Sequence, residues 1–282
     1  MTNDAAAVPA YDTESFQPKR NDYCVAVFVI NENGRLHRQL ERMKPYADQV
    51  DIVIADGGST DGSVSSDALK SFGVNSLLVK TGPGKLGAQM RMAFSWALAR
   101  GYKGIIVIDG NNKDGPEALP AFIDGLREGY DHLQGSRFIP GGISENLKLS
   151  RYVGVRFVHS PLISLSARFR YTDTTNGFRA YSARFLSDHR VDVFRDVFAG
   201  YELHYYLAIR AARLGFKVRE LPVARRYPAK GPLVSKISPV RGNLRVLRCL
   251  FAACLGFYNP PASGARRATQ SLPAETKPWP TR

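Results

Sequence analysis

Four short apolar runs, each followed by a helical stretch, constrain this chain more than any other feature. Residues 24–30 (CVAVFVI), 51–55 (DIVIA), 76–79 (SLLV) and 104–108 (GIIVI) are continuous and rich in β-branched side chains. Such runs suit strands buried on both faces of a parallel sheet. Helical patterns fill the intervals at 34–43, 63–72, 87–100 and 116–128. Alternation of this kind implies an α/β fold, doubly wound around a mostly parallel central sheet. In such sheets ligands bind beyond the C-terminal ends of the strands. Three of those ends are polar: Asn31-Glu32-Asn33-Gly34, the segment from Asp56 to Asp61, and the segment from Asp109 to Asp114. One polar strand end is a turn; three on one edge outline a site.

Two familiar phosphate-binding patterns are absent. No Gly-x-Gly-x-x-Gly follows the first strand, and the loop Gly82-Pro-Gly-Lys-Leu86 lacks the first Gly and the last Ser or Thr of a P-loop. In the second cluster, Gly57 and Gly58 let the backbone approach a ligand, and Asp56 offers a carboxylate to a ribose hydroxyl or a base N–H. The plain alternative is a turn in which Asp61 caps the next helix. In the third cluster, Asp109 with Asn111 two residues on is a weakened form of the acid-x-acid pair that holds a divalent cation against a diphosphate. Asn111 and Asn112 as simple turn residues are the alternative. Asp114-Gly-Pro-Glu117 reads as a helix start with Asp114 as its cap.

Charge narrows the class of partner. Thirty-nine Lys and Arg against 25 Asp and Glu give a net charge of +14, which calls for an anionic partner. Nucleic acid is disfavoured, because no recognition fold or basic–aromatic ladder appears. Three cysteines without a Cys-x-x-Cys pair and five scattered histidines exclude a disulfide scaffold and a structural zinc site. No apolar stretch approaches the roughly 20 residues of a membrane span, and no signal-like start opens the chain. The expected organisation is a flexible arm over 1–22, a folded domain over 23–236, a basic amphipathic helix over 237–258, and a disordered tail over 259–282 that carries five of the 17 prolines.

Six segments in order resemble glycosyltransferase family 2 and its dolichyl-phosphate mannose synthase-like branch. They are Val29-Ile-Asn-Glu-Asn33, Ala55-Asp-Gly-Gly-Ser-Thr-Asp-Gly62, Ile108-Asp-Gly-Asn111, Gly135-Ser-Arg-Phe138, Asp173-Thr-Thr-Asn-Gly-Phe-Arg-Ala-Tyr181 and Gly200-Tyr-Glu202. The resemblance spans about residues 22–236 and implies a single GT-A type, Rossmann-like domain that uses a UDP- or GDP-sugar. By it, Asn31, Glu32 and Asp56 hold the donor nucleotide, and Asp109 with Asn111 holds the diphosphate through Mg2+ or Mn2+. The chain departs from the pattern at Gly57 and Asn111, where the branch usually has acids, and at Lys113, where it has Gln. An ammonium at Lys113 would take over part of the metal's charge; a solvated loop lysine is the alternative. Arg137 and Arg151 match arginines that clamp a polyprenyl phosphate, a task suited to planar guanidiniums that stay charged when desolvated. Arg179 is available to an acceptor anion, and Arg226 and Lys236 to the donor.

Glu202 stands where many members carry the base that deprotonates a sugar hydroxyl. It also fits a first-turn acid complementing a helix dipole. Residues 240–258 place Arg241, Arg245 and Arg248 at helical spacing among apolar residues, a pattern for an interfacial helix on an anionic membrane surface. The leading expectation is an inverting transfer to polyprenyl phosphate, peripheral at the cytoplasmic face of the membrane. The rival is transfer to a lipid-linked saccharide in surface polysaccharide synthesis, with Glu202 as base. A third reading, of another class, is a degenerate transferase that binds nucleotide or anionic lipid without chemistry.

Overall fold

The computed structural model describes residues 7–229 and 241–261. Strands β2 (Tyr23–Val29), β3 (Asp51–Asp56), β4 (Ser76–Lys80) and β5 (Gly104–Asp109) pair in parallel in the order β4-β3-β2-β5. Val29 lies opposite Asp56 and Phe28 opposite Asp109, so the three polar clusters share one rim, as the alternation implied. Beyond β5 the sheet continues through β8 (Arg179–Ser182), β6 (His132–Ser136) and β9 (Val218–Pro222). β8 runs antiparallel to both neighbours, and β9 is parallel to β6.

The period-two alternation of buried strands divides the core. Val25, Val27 and Val29 face α1 (Gly34–Met43) and α4 (Leu119–Arg127), packing with Leu36, Leu40 and Phe122. Ala26 and Phe28 face α3 (Leu86–Ala99) and α8 (Glu202–Arg213), packing with Phe94 and Leu207. α2 (Ser66–Ser71) starts three residues later than the sequence pattern, and Asp61 stays in the loop before it, accepting from Asn33 N and from Ser63. A cleft of about 400 Å³ lined by Lys19, Ser76, Trp96 and Arg100 sits at the opposite end of the strands, away from this rim.

The N-terminal segment expected to be a loose arm contains a strand. β1 (Tyr11–Ser15) pairs antiparallel with β4, Tyr11 opposite Lys80, and Asp51 then fixes the following chain through Arg20 N and the Asn21 amide. Its sequence, YDTES, is polar because an edge strand is half exposed and stays soluble that way.

Further elements flank the sheet. β7 (Ile143–Glu145) pairs in parallel with β10 (Ala224–Arg226). α5 (Leu149–Val153) runs through a π-turn (Gly154–His159) into α6 (Ser160–Ala167), and α7 (Ala183–Leu186) is a single turn after β8. α9 (Arg241–Cys254) seats Cys249, Leu250 and Ala253 against Ile163, Tyr205 and Ile209 of α6 and α8. Burying a leucine such as Leu250 stabilises the docking by about 1.5–3 kcal/mol. The opposite face leaves Arg245, Arg248, Leu244 and Phe251 exposed, with Leu255 and Phe257 just beyond. Among the described residues no helix is long and apolar enough to cross a membrane.

Candidate active site

The first two strand ends form one hydrogen-bonded platform. Asn31, in the left-handed region at φ 49°, accepts from Thr60 N at 2.8 Å, while its own N–H donates to Ser59 Oγ at 2.9 Å. Asp56 is fully buried and accepts from Gly58 N, Ser59 N and Ser59 Oγ at 2.5–3.0 Å. Its carboxylate therefore shapes the loop that would meet a donor. Glu32 is buried beside Arg35, 3.0 Å from its guanidinium. A buried residue the sequence reading did not single out, Gln89 of α3, donates to the carbonyls of Val29 and Ala55 and so ties the ends of β2 and β3 together.

The third strand end holds the main departure from expectation. Asp109 Oδ2 accepts from Asn111 Nδ2 at 3.3 Å and from Arg225 Nη2 at 3.2 Å. The other end of the same guanidinium donates to Asp114 Oδ2 at 2.5 Å. Asp114, expected as a helix cap, is fully buried and is the anchor of this arginine instead. Burial works against the charge on Arg225, but Asp114 and Asp109 outweigh it and hold the guanidinium above its ordinary value. Arg226, the residue expected to reach the donor, is half exposed and pairs with Glu145 at 3.0 Å. Adjacent strand residues point to opposite faces, so only one of the two arginines can turn to Asp109. Lys113 is half-buried beside the same group; burial and then Arg225 lower its pKa. Gly177 closes the other side, since a Cβ there would lie 3.2 Å from Asp109 Oδ1. Lys236 lies outside the described residues.

These contacts set the fit for a divalent cation. At Asp109 a metal would find one carboxylate, one amide whose nitrogen already faces that carboxylate, and two basic side chains. Among the described residues no group of three His, Cys, Asp or Glu gathers as a metal-holding set. Hard divalent cations need several oxygen ligands, and this donor set does not fit a resident ion.

Of the three acceptor-side arginines, two are structural. Arg137 is bound at two points to Asp173, at 2.6 and 2.9 Å, and donates further to Tyr227 and Thr175. Arg179 is fully buried and donates to the carbonyls of Thr174, Asn176 and His204, so it braces the turn from Thr174 to Asn176 from beneath. A guanidinium whose donors are used in this way has little left for a ligand. Arg151 is different: it is exposed on α5, with its guanidinium 5.6 Å from the Tyr227 ring centre. Tyr227 gathers Lys113, Arg151 and Arg225 within 5.6–5.8 Å of its ring and accepts from Arg137 at its hydroxyl. Burial would raise the phenol's pKa, but Arg225, Arg137 and Arg151 pull it below its usual value. Tyr227 was not anticipated. Next to it, Phe138, Asn146, Leu147, Leu149 and Tyr152 line a cleft of about 460 Å³.

Glu202 opens α8, as expected, and its carboxylate is engaged there. Oε2 accepts from Gly200 N at 2.5 Å, and Oε1 accepts from Cys249 Sγ of α9 at 3.4 Å.

The fold matches known sugar transferases. No family model matches the chain. It is 31% identical over 206 residues to the polyprenol monophosphomannose synthase of Mycolicibacterium smegmatis, spanning 71% of this chain and 75% of that one. It is 30% identical over 196 residues to the undecaprenyl-phosphate mannosyltransferase of Micrococcus luteus, spanning 68% and 79%. Glucosyl-3-phosphoglycerate synthase from Mycobacterium tuberculosis, solved with Mn2+, UDP and glucosyl-3-phosphoglycerate, shares the fold with a TM-score of 0.57 at 17% identity, over 85% of this chain and 81% of that one. The chain belongs to glycosyltransferase family 2, in its dolichyl-phosphate mannose synthase-like branch, and is a GT-A glycosyltransferase.

Proposed function

We propose that this chain transfers a sugar, with inversion, from a nucleotide-sugar donor to the phosphate of a polyprenyl phosphate lying in an anionic membrane surface. The observation that carries this reading is the exposed Arg151 over Tyr227. It places a charged, planar donor fork between the Asp109–Arg225 cluster and a cleft with apolar walls. A lipid phosphate needs that combination: a cation for the head and apolar surface for the first part of the tail. The relatives from Mycolicibacterium smegmatis and Micrococcus luteus are named for mannosyl transfer to such lipids.

In this reading the platform formed by Asn31 and the Gly58–Thr60 turn, braced by Asp56, receives the nucleoside. Asp109, with Arg225 and Lys113 beside it, faces the diphosphate. The acceptor phosphate is already ionised and attacks the anomeric carbon without a general base. The engagement of Glu202 with Gly200 and Cys249 favours this over a saccharide hydroxyl as acceptor. Leu149, Val153 and Phe157 on one side, and Leu244, Phe251, Leu255 and Phe257 on α9 and the turn after it, are exposed apolar residues suited to the membrane interface. The test is incubation with UDP- and GDP-sugars and a short polyprenyl phosphate, followed by mass analysis of the lipid. A sugar-phosphate lipid, formed equally by Glu202→Gln, is the expected product. Donor turnover only with a saccharide-bearing lipid, abolished in Glu202→Gln, would replace this reading with the hydroxyl acceptor.

A further inference from the structure

We propose that Arg225 is a built-in counter-ion at Asp109, which lets the donor's diphosphate bind without a divalent cation. The inference rests on the donor reading above and deepens it.

The placement of Arg225 is fixed from both backbone and side chain. On the backbone, Asp114 and Arg225 form an antiparallel bridge, flanked by Gly115 N to Ala224 O at 2.8 Å and Arg226 N to Lys113 O at 2.8 Å. On the side chain, one end of the guanidinium is held by the fully buried Asp114, and the other end is thereby presented to Asp109. The Arg225 side chain is 11% exposed, so it is preorganised rather than a surface arginine caught in one rotamer.

Charge balance points the same way. Asp109 and Asp114 bring two negative charges; Arg225 and Lys113 bring two positive ones. Two carboxylates loaded with one divalent ion reach the same formal balance. The fork of Arg225 also supplies directional N–H donors suited to phosphate oxygens, which an ion does not. A metal bound at Asp109 Oδ2 would have to displace this guanidinium. The nitrogen so displaced belongs to a guanidinium whose other nitrogen is anchored on the buried Asp114, so it has little room to withdraw.

The experiment is calorimetric titration of UDP and of GDP into the full-length chain, once in EDTA and once in Mn2+. Three proteins are compared: wild type, Arg225→Lys, and the charge-matched double variant Asp114→Asn/Arg225→Gln. Wild type is expected to bind one of the nucleotides in EDTA within about threefold of its affinity in Mn2+. The double variant is expected to lose about tenfold or more in EDTA and to recover at least part of that in Mn2+. Arg225→Lys keeps the charge opposite Asp114 and is expected between the two, still resistant to the chelator. Wild-type binding that falls more than about tenfold in EDTA and returns with Mn2+ overturns the proposal while leaving the donor reading in place. So does a folded double variant that binds like wild type in EDTA. Binding of neither nucleotide under either condition overturns the donor reading and this inference together.

Discussion

Arg137 and Asp173 form a two-point ion pair whose side chains are 1% and 0% exposed. Burial alone would raise the Asp173 pKa, but Arg137 outweighs it and holds the carboxyl below its usual value. Removing one partner leaves an uncompensated buried charge. Asp173→Asn is therefore expected to destabilise the fold by about 3–5 kcal/mol, read as a drop in the urea midpoint. A variant with wild-type stability but weakened acceptor binding would instead place Arg137 in the phosphate clamp.

Arg151 is expected to behave in the opposite way. It is exposed and touches Tyr227 from the solvent side, so Arg151→Ala should leave the melting temperature nearly unchanged. Loss of a charge-assisted hydrogen bond to phosphate, worth about 1.5–3 kcal/mol, corresponds to a rise of roughly ten- to a hundredfold in the acceptor KM. Steady-state kinetics against a polyprenyl phosphate series checks this.

Acid should weaken the fold before the carboxylates titrate. His132 is fully buried against Tyr181, and burial, then Arg179, lowers its pKa from the ordinary 6.5 to about 3. Between those values the unfolded chain binds a proton that the folded chain refuses. Stability is therefore complete above about pH 6.5 and falls as pH drops toward 3, by up to about 1.4 kcal/mol per unit. His204, lowered by burial and then by Arg179 and His132, adds to the same limb. Melting curves from pH 7 to 4.5 should show this decline, and His132→Phe should make it shallower.

The exposed apolar residues around α9 predict a surface-binding phenotype. Leu255 and Phe257 are 70% and 75% exposed. Each would contribute up to about 1.5–3 kcal/mol on burial in an interface. Leu255→Ser/Phe257→Ser should lower partitioning onto anionic vesicles by at least about tenfold while leaving nucleotide affinity unchanged. Added salt should weaken wild-type partitioning through Arg245 and Arg248.

What was legible in the sequence follows from which forces leave a pattern. Strands buried on both faces must be apolar throughout, so β2 to β5 and their shared polar rim were plain. β1 was missed because an edge strand with half-exposed residues carries no such run. Arg179 reads as a ligand-binding arginine only until its partners are known to be backbone carbonyls, which side-chain patterns do not reveal. Arg225 was passed over for its neighbour Arg226. Period-two alternation says that one of them points inward, but the phase is set by the bridge to Asp114, a contact 111 residues away in the chain.

The short ladder between β7 and β10 joins the segments that carry Arg151 and Arg225. Arg225 is registered opposite Ser144, and Ile143 to Glu145 lead within a few residues into α5 and Arg151. In the proposed reading, the cation that faces the sugar donor and the one that faces the acceptor thus hang from two strands paired in one short ladder. A ligand that shifts one must tug the other, and thermodynamic linkage makes such a pull mutual. Saturating one substrate should therefore register in the affinity for its co-substrate, with no moving flap required to carry the message.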